Sequence, residues 1–159
     1  MPASAAHGYT DAKMGRPLVV ASDHAGFELK EKLKTALDRL GVPYTDAGVH
    51  STDSADYPDY ARKVAEAVSR GEADRGLLVC GSGQGMAMTA NRYRGVRAAV
   101  PFNEETARLS REHNDANVLA LGGSTLDHAL AERILEVWLR TPFAGGRHER
   151  RVRKMDEPE

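Results

Sequence analysis

The sequence predicts a three-layer α/β sandwich on a five-stranded parallel sheet, folded as a single domain. Three observations carry this. The chain has 159 residues, 41% hydrophobic and 28% charged, enough for one globular unit with its own core. Short apolar runs alternate five times with longer segments that are apolar at helical spacing. The first, third and fifth runs (PLVVAS, LLVC and VLAL) lack period-two alternation, as strands covered on both faces do.

Residues 17–22 are the first strand, with Asp23, His24, Ala25 and Gly26 at its carboxyl end. In residues 27–40, Leu29, Leu33, Leu37 and Leu40 recur at helical spacing, and Gly41 ends the helix. Residues 43–47 (PYTDA) are a less apolar strand, nearer an edge. After a polar loop, Asp56 caps a helix that opens on Tyr57 and Pro58, since proline is tolerated in a first turn. Tyr57, Tyr60, Ala61, Val64, Ala65 and Val68 form its apolar stripe, and Gly71 stops it. Residues 77–80 are the third strand, followed by the turn Gly81-Ser82-Gly83-Gln84-Gly85 and a helix reaching Asn91. Residues 96–100 (VRAAV) are the fourth strand, and Asn103 caps a helix running towards His113. Residues 118–121 are the fifth. Ser124 opens the last helix, with Asp127 three residues on as a variant capping box. Leu126, Leu130, Ile134, Val137 and Trp138 are its expected buried face. From Thr141 the chain reads as an irregular basic tail. This alternation makes the architecture Rossmann-like. Residues 1–15 read as a disordered extension, 16–155 as the domain and 156–159 as a tail.

Composition narrows the function. A net charge of -1 gives no global field for nucleic acid, and the basic run RHERRVRK lacks interleaved aromatics. There is no apolar run of membrane-spanning length, and the first residues lack the charge and hydrophobicity of a signal peptide. The expectation is a cytoplasmic protein with no membrane partner. A single cysteine precludes an internal disulfide, argues against a cysteine-rich metal site and fits a reducing compartment.

In such folds ligands bind beyond the carboxyl ends of strands. Two polar clusters lie there: Asp23-His24 after the first strand, and Cys80 with the glycine turn after the third. Cys80 is either a small buried hydrophobe or a thiol at a helix N-terminus. The turn offers backbone N–H groups to an anion, yet it matches neither the dinucleotide GxGxxG nor a P-loop. Asp23-His24 reads equally as a helix-capping turn. His113 and Asn114 precede the fifth strand and so lie at the amino edge of the sheet, the wrong end for that cleft. They form a helix terminus unless a two-fold dimer carries them into a second copy's cleft.

Six motifs occur in order: SDHAGFELK at 22–30, DYPDYA at 56–61, CGSGQGMAMTANR at 80–92, GVRAA at 95–99, REHNDANVLALGG at 111–123 and GGRHERRV at 145–152. Together they resemble the type B ribose-5-phosphate isomerases of the wider ribose/galactose phosphate isomerase family. The resemblance implies aldose–ketose isomerisation of D-ribose 5-phosphate to D-ribulose 5-phosphate, without metal or organic cofactor. It places the chain in the branch whose base is a cysteine, Cys80, because the other branch has a glutamate where Met86 stands. It implies that Ser82 orients or polarises the thiol. The backbone of Gly81, Gly83, Gln84 and Gly85 would stabilise an enediolate, and His113 would open the sugar ring. Asp23 and Asn114 would hold hydroxyls, while His24, Arg147 and Arg151 would grip the phosphate and Tyr57 would line the cleft. This draws the basic segment 145–154 into the site. It also implies a homodimer with shared active sites, or a tetramer built from it. Many relatives carry an arginine where Ser124 stands, which keeps a six-carbon substrate such as allose 6-phosphate in view. A non-catalytic module binding a phosphorylated ligand is a separate reading. A redox protein using Cys80 is a third, weakened by the lack of a resolving cysteine.

Overall fold

The computed structural model describes residues 15–157. The expectation of a disordered extension therefore lies, but for Gly15, outside the described residues.

Strands β1 (Leu18–Ser22), β2 (Tyr44–Asp46), β3 (Gly76–Cys80), β4 (Ala98–Ala99) and β5 (Val118–Gly122) form one parallel sheet in the order β2-β1-β3-β5-β4. The order reverses between β1 and β3, which are hydrogen-bonded neighbours, so the two polar clusters flank the switch point. Helices α1 (Phe27–Leu40), α2 (Tyr57–Ser69), α3 (Gln84–Ala90), α4 (Glu104–Glu112), α5 (His128–Arg140) and α6 (Arg147–Asp156) complete the described chain. None of them is long and apolar enough to cross a membrane.

Strand side chains divide the interior into two cores. Leu77 and Val79 of β3 join Leu29, Leu33 and Leu37 of α1 and Ile134 and Trp138 of α5 on one face. Leu78 and Cys80 join Val64 and Ala65 of α2 and Met86 of α3 on the other. The period of two along β3 thus decides that the thiol faces α2 and α3. Each fully buried leucine of α1 contributes on the order of 2 kcal/mol of hydrophobic stabilisation. Gly41 ends α1 in the left-handed region at φ 73°, as the sequence predicts.

Several boundaries differ from expectation. Asp56 stands at the N-cap position of α2 but its side chain makes no capping bond; Pro58 opens the first turn. Asn103 does cap α4, accepting the Thr106 N–H at 2.7 Å while Thr106 Oγ1 accepts the Asn103 N–H at 3.2 Å. Only Ala98 and Ala99 of the fourth run pair as strand. Asn117 accepts the Arg97 N–H at 2.7 Å, and Asn91 both donates to and accepts from Ala98. Ser124 does not open α5. Its N–H is bonded to the Gly81 carbonyl at 2.9 Å, and the helix begins at His128 with Asp127 as cap. The buried face of α5 is accordingly Ala131, Ile134, Leu135, Trp138 and Leu139, with Leu126, Leu130 and Val137 only partly covered. The supposed irregular tail contains α6, which ends at Asp156.

Candidate active site

Cys80 ends β3 and is 5% exposed. The chain then turns through Gly83, whose φ of 80° is natural for glycine and strained for other residues. That turn aims the Gly83 N–H at Cys80 Sγ, 3.1 Å away. The Ser82 hydroxyl accepts the Gln84 N–H at 3.3 Å, so its bond braces the turn and does not go to the sulfur. A second turn after β5 locks onto the first: the Gly123 N–H donates to the Cys80 carbonyl at 2.7 Å. Beyond Gly83, α3 begins, and the N–H groups of its first turn lack partners within the helix.

The β1 cluster adjoins this turn. Asp23 donates its N–H to the Val79 carbonyl at 3.2 Å, and its Oδ1 accepts the Gly26 N–H at 3.0 Å. His24 is exposed, with Nδ1 accepting the Ala55 N–H at 3.1 Å. The Tyr57 ring, 42% exposed, packs over Gly85, where a Cβ would overlap it. A cavity of about 520 Å³ opens here, lined by Asp23, His24, Asp56, Tyr57 and Arg62 among others. The loop that carries its far wall is anchored by a buried charge network. Lys30, fully buried, bonds both oxygens of Asp46 at 2.8 and 3.0 Å, and Lys34 bonds Asp46 at 2.8 Å. Burial alone would raise the Asp46 pKa. The Lys30, Lys34 and Gly48 hydrogen bonds and the Lys30 charge outweigh burial and hold it at about 2.

The remaining residues singled out in the sequence form a second group at the other end of the sheet. His113 is the C-cap of α4, and Asn114 follows it, exposed. Asn114 lines a separate cavity of about 740 Å³ with Tyr93, Arg97 and Met155. Arg147 and Arg151 are exposed, one turn apart on α6. The α6 helix packs its buried His148 ring on that of His113, with centroids 4.3 Å apart. Within one chain the two groups do not meet. Cys80 registers with Gly122 at the end of β5, whereas His113 precedes its start at Val118. Val118 and Gly122 are four strand steps apart, at about 3.3 Å each, so β5 sets its two ends ~13 Å from one another. His148 was not singled out in the sequence. Its signal is the His148–Val152 spacing of four within GGRHERRV, which reads as a helix face only once α6 is known. Among the described residues no cluster of three or more His, Cys, Asp or Glu has the arrangement of a metal site.

This geometry can be set beside known proteins. The profile of the Ribose/Galactose Isomerase family matches residues 18–155. The chain belongs to this family. It is 43% identical to the ribose-5-phosphate isomerase B of Escherichia coli over 137 residues, covering 86% of this chain and 92% of that one. The crystal structure of a Thermotoga maritima ribose 5-phosphate isomerase superposes with a TM-score of 0.86 at 51% identity, covering 89% of this chain and 98% of that one. The isomerase B of Mycoplasma genitalium, solved with ribulose 5-phosphate bound, superposes with a TM-score of 0.86 at 38% identity, covering 90% and 95% of the two chains. The ribose/galactose isomerase fold is thus present here over nearly its whole length, and a sugar phosphate is the family's substrate class.

Proposed function

We propose that the protein interconverts D-ribose 5-phosphate and D-ribulose 5-phosphate through an enediolate. The observation that carries this is Cys80 at the switch point, with a backbone turn wrapped around its sulfur, in a chain of this family. Cys80 Sγ, as thiolate, takes the proton from C2 of the open-chain aldose. The electron pair left behind passes into the carbonyl, and negative charge develops on O1. Returning the proton to C1, with the O2 hydroxyl proton passing to O1, yields the ketose. Backbone N–H groups of Gly81, Gly83, Gln84 and Gly85 stabilise the developing charge, those of Gly83 and Gln84 turning to it from Cys80 Sγ and Ser82 Oγ. Asp23 and Tyr57 line the cavity at the carboxyl end of β1 and suit the sugar hydroxyls, and His24 in the same lining suits the phosphate.

His113 donates the proton that opens the furanose, Asn114 holds a hydroxyl, and Arg147 and Arg151 grip the phosphate with planar guanidinium forks. Their separation from Cys80 within one chain supports a two-fold homodimer in which each cleft receives these groups from the partner. The basic segment 145–154 is then part of the site. A free thiol and a phosphorylated substrate support a cytoplasmic setting.

The N–H of Ser124, in the turn after β5, is bonded to the Gly81 carbonyl, which sets Ser124 beside the glycine turn where the resemblance expects an arginine. Six-carbon aldose phosphates therefore belong in the same test. That test is a direct isomerase assay of the purified protein on ribose 5-phosphate, ribulose 5-phosphate and allose 6-phosphate. Five-carbon turnover should dominate. Cys80→Ala should lose on the order of a thousandfold in kcat while still binding a sugar-phosphate analogue. A Cys80→Ala protein as active as the native one would sink the mechanism, and binding without turnover in the native protein would favour a non-catalytic module.

A further inference from the structure

His113 meets a second imidazole face to face. The His148 ring lies 4.3 Å away, centroid to centroid, with the planes 14° from parallel. The chain is built to deliver it there. The Ala144 N–H donates to the Glu112 carbonyl at 3.1 Å, pinning the returning segment to the last turn of α4. Gly145 and Gly146 then take φ values of 68° and 58° and turn the chain into α6. On α6, His148 and Val152 share the buried face, one turn apart, while Arg147 and Arg151 stand exposed beside them. His148 is 8% exposed. Burial disfavours its cation first, and His113, Arg147 and Arg151 push the same way against an opposing pull from Glu112, so its pKa lies below the usual histidine value. It therefore presents an uncharged ring at neutral pH.

We propose that His148 is a positioning residue for ring opening, a flat platform that fixes the plane of the His113 imidazole so that its edge meets the furanose oxygen of a substrate in the partner's cleft. This rests on the isomerase reading above. Stacking resists tipping of the ring, because tipping gives up the face-to-face contact. Tipping would move the donor nitrogen by a fraction of its length, and a misplacement of about 1 Å can cost on the order of a hundredfold in rate. The competing role is mechanical: His148 merely anchors α6 and so holds Arg147 and Arg151 near the phosphate. The two roles separate by substrate. Ribose 5-phosphate arrives as a ring and needs opening. Ribulose 5-phosphate is open, and the aldose made from it can leave open and close in water. The phosphate grip serves both.

The experiment measures kcat and KM in both directions for His148→Ala and His148→Phe, with circular dichroism to confirm folding. For His148→Ala, kcat on ribose 5-phosphate should fall tenfold to a hundredfold, roughly, while both constants for ribulose 5-phosphate move less than about threefold. His148→Phe, which keeps a flat uncharged ring, should recover most of the loss. Equal losses in both directions, a KM rise in both, or no change would overturn the proposal. If the alanine variant does not fold, His148→Leu against His148→Phe makes the same comparison, and equal aldose rates in those two would overturn it. Native protein without isomerase activity would defeat the parent reading, and that result is seen before any variant is assayed.

Discussion

Asp46 shows how one residue ties the cleft to the fold. Its carboxylate is shared by Lys30 and Lys34 and also accepts the Gly48 N–H at 2.9 Å. The pKa of about 2 in the folded protein lies below the value of about 3.9 expected in the unfolded chain. Its stabilisation is therefore complete above the unfolded value and is lost as pH falls through the folded one. Between pH ~4 and ~2 the native protein should lose about 2 kcal/mol from this group, read from urea unfolding at stepped pH. Asp46→Asn should be less stable at neutral pH, because the buried Lys30 loses its nearer counter-charge and keeps only Glu31 at 3.8 Å, and its acid slope in that window should be shallower. An unchanged slope would remove Asp46 from the account. In the proposed mechanism His113 is the other residue with a separable role. His113→Ala should lose more activity on cyclic ribose 5-phosphate than on open ribulose 5-phosphate, measured as initial rates. Equal losses would argue against ring opening.

At the scale of elements, β3 and α1 are coupled through a backbone contact. A Cβ on Gly26, just before α1, would overlap the backbone carbonyl of Val79, the residue before Cys80. The obstacle is main chain in the middle of a sheet, so it cannot swing aside. Gly26→Ala should destabilise the fold by about 1–3 kcal/mol and lower the melting temperature. An unchanged melting temperature would show that β3 can shift. The place of Cys80 was legible beforehand, because an unbroken apolar run ending in a glycine turn has few other meanings. The start of α5 was not. Ser124 has the chemistry of a cap, but its N–H is used by Gly81, a residue distant in sequence. The α6 helix escaped for a different reason. Only His148 and Val152 of its ten residues are buried, too thin a stripe to stand out among so many charges. With α6 went the His113–His148 stack. The β4 strand was overdrawn: just before it the Asn117 side chain takes the Arg97 N–H that the pattern VRAAV assigns to a ladder.

The whole molecule has chemistry at both ends of one sheet and no path between them. Cys80, the glycine turn, Asp23 and His24 sit at the carboxyl end; His113, Asn114 and the α6 arginines belong to the amino end, the two ends of β5 being ~13 Å apart. In the proposed two-fold homodimer this separation would become two composite sites, each with Cys80 from one copy and His113 from the other. That arrangement has an arithmetic signature. Cys80→Ala and His113→Ala homodimers should each be nearly inactive on ribose 5-phosphate. Mixed in equal amounts and allowed to exchange, they form hybrids as about half of all dimers, and each hybrid carries one site with both residues intact. Ribose 5-phosphate turnover should therefore recover to about a quarter of the native value. The aldose must be the substrate, since His113→Ala is expected to retain turnover of the open ketose. Exchange is checked independently by mass-tagging one subunit. Hybrids that form without restoring activity would place both residues in the site of a single chain, which would require α4 and α6 to move away from the arrangement described here.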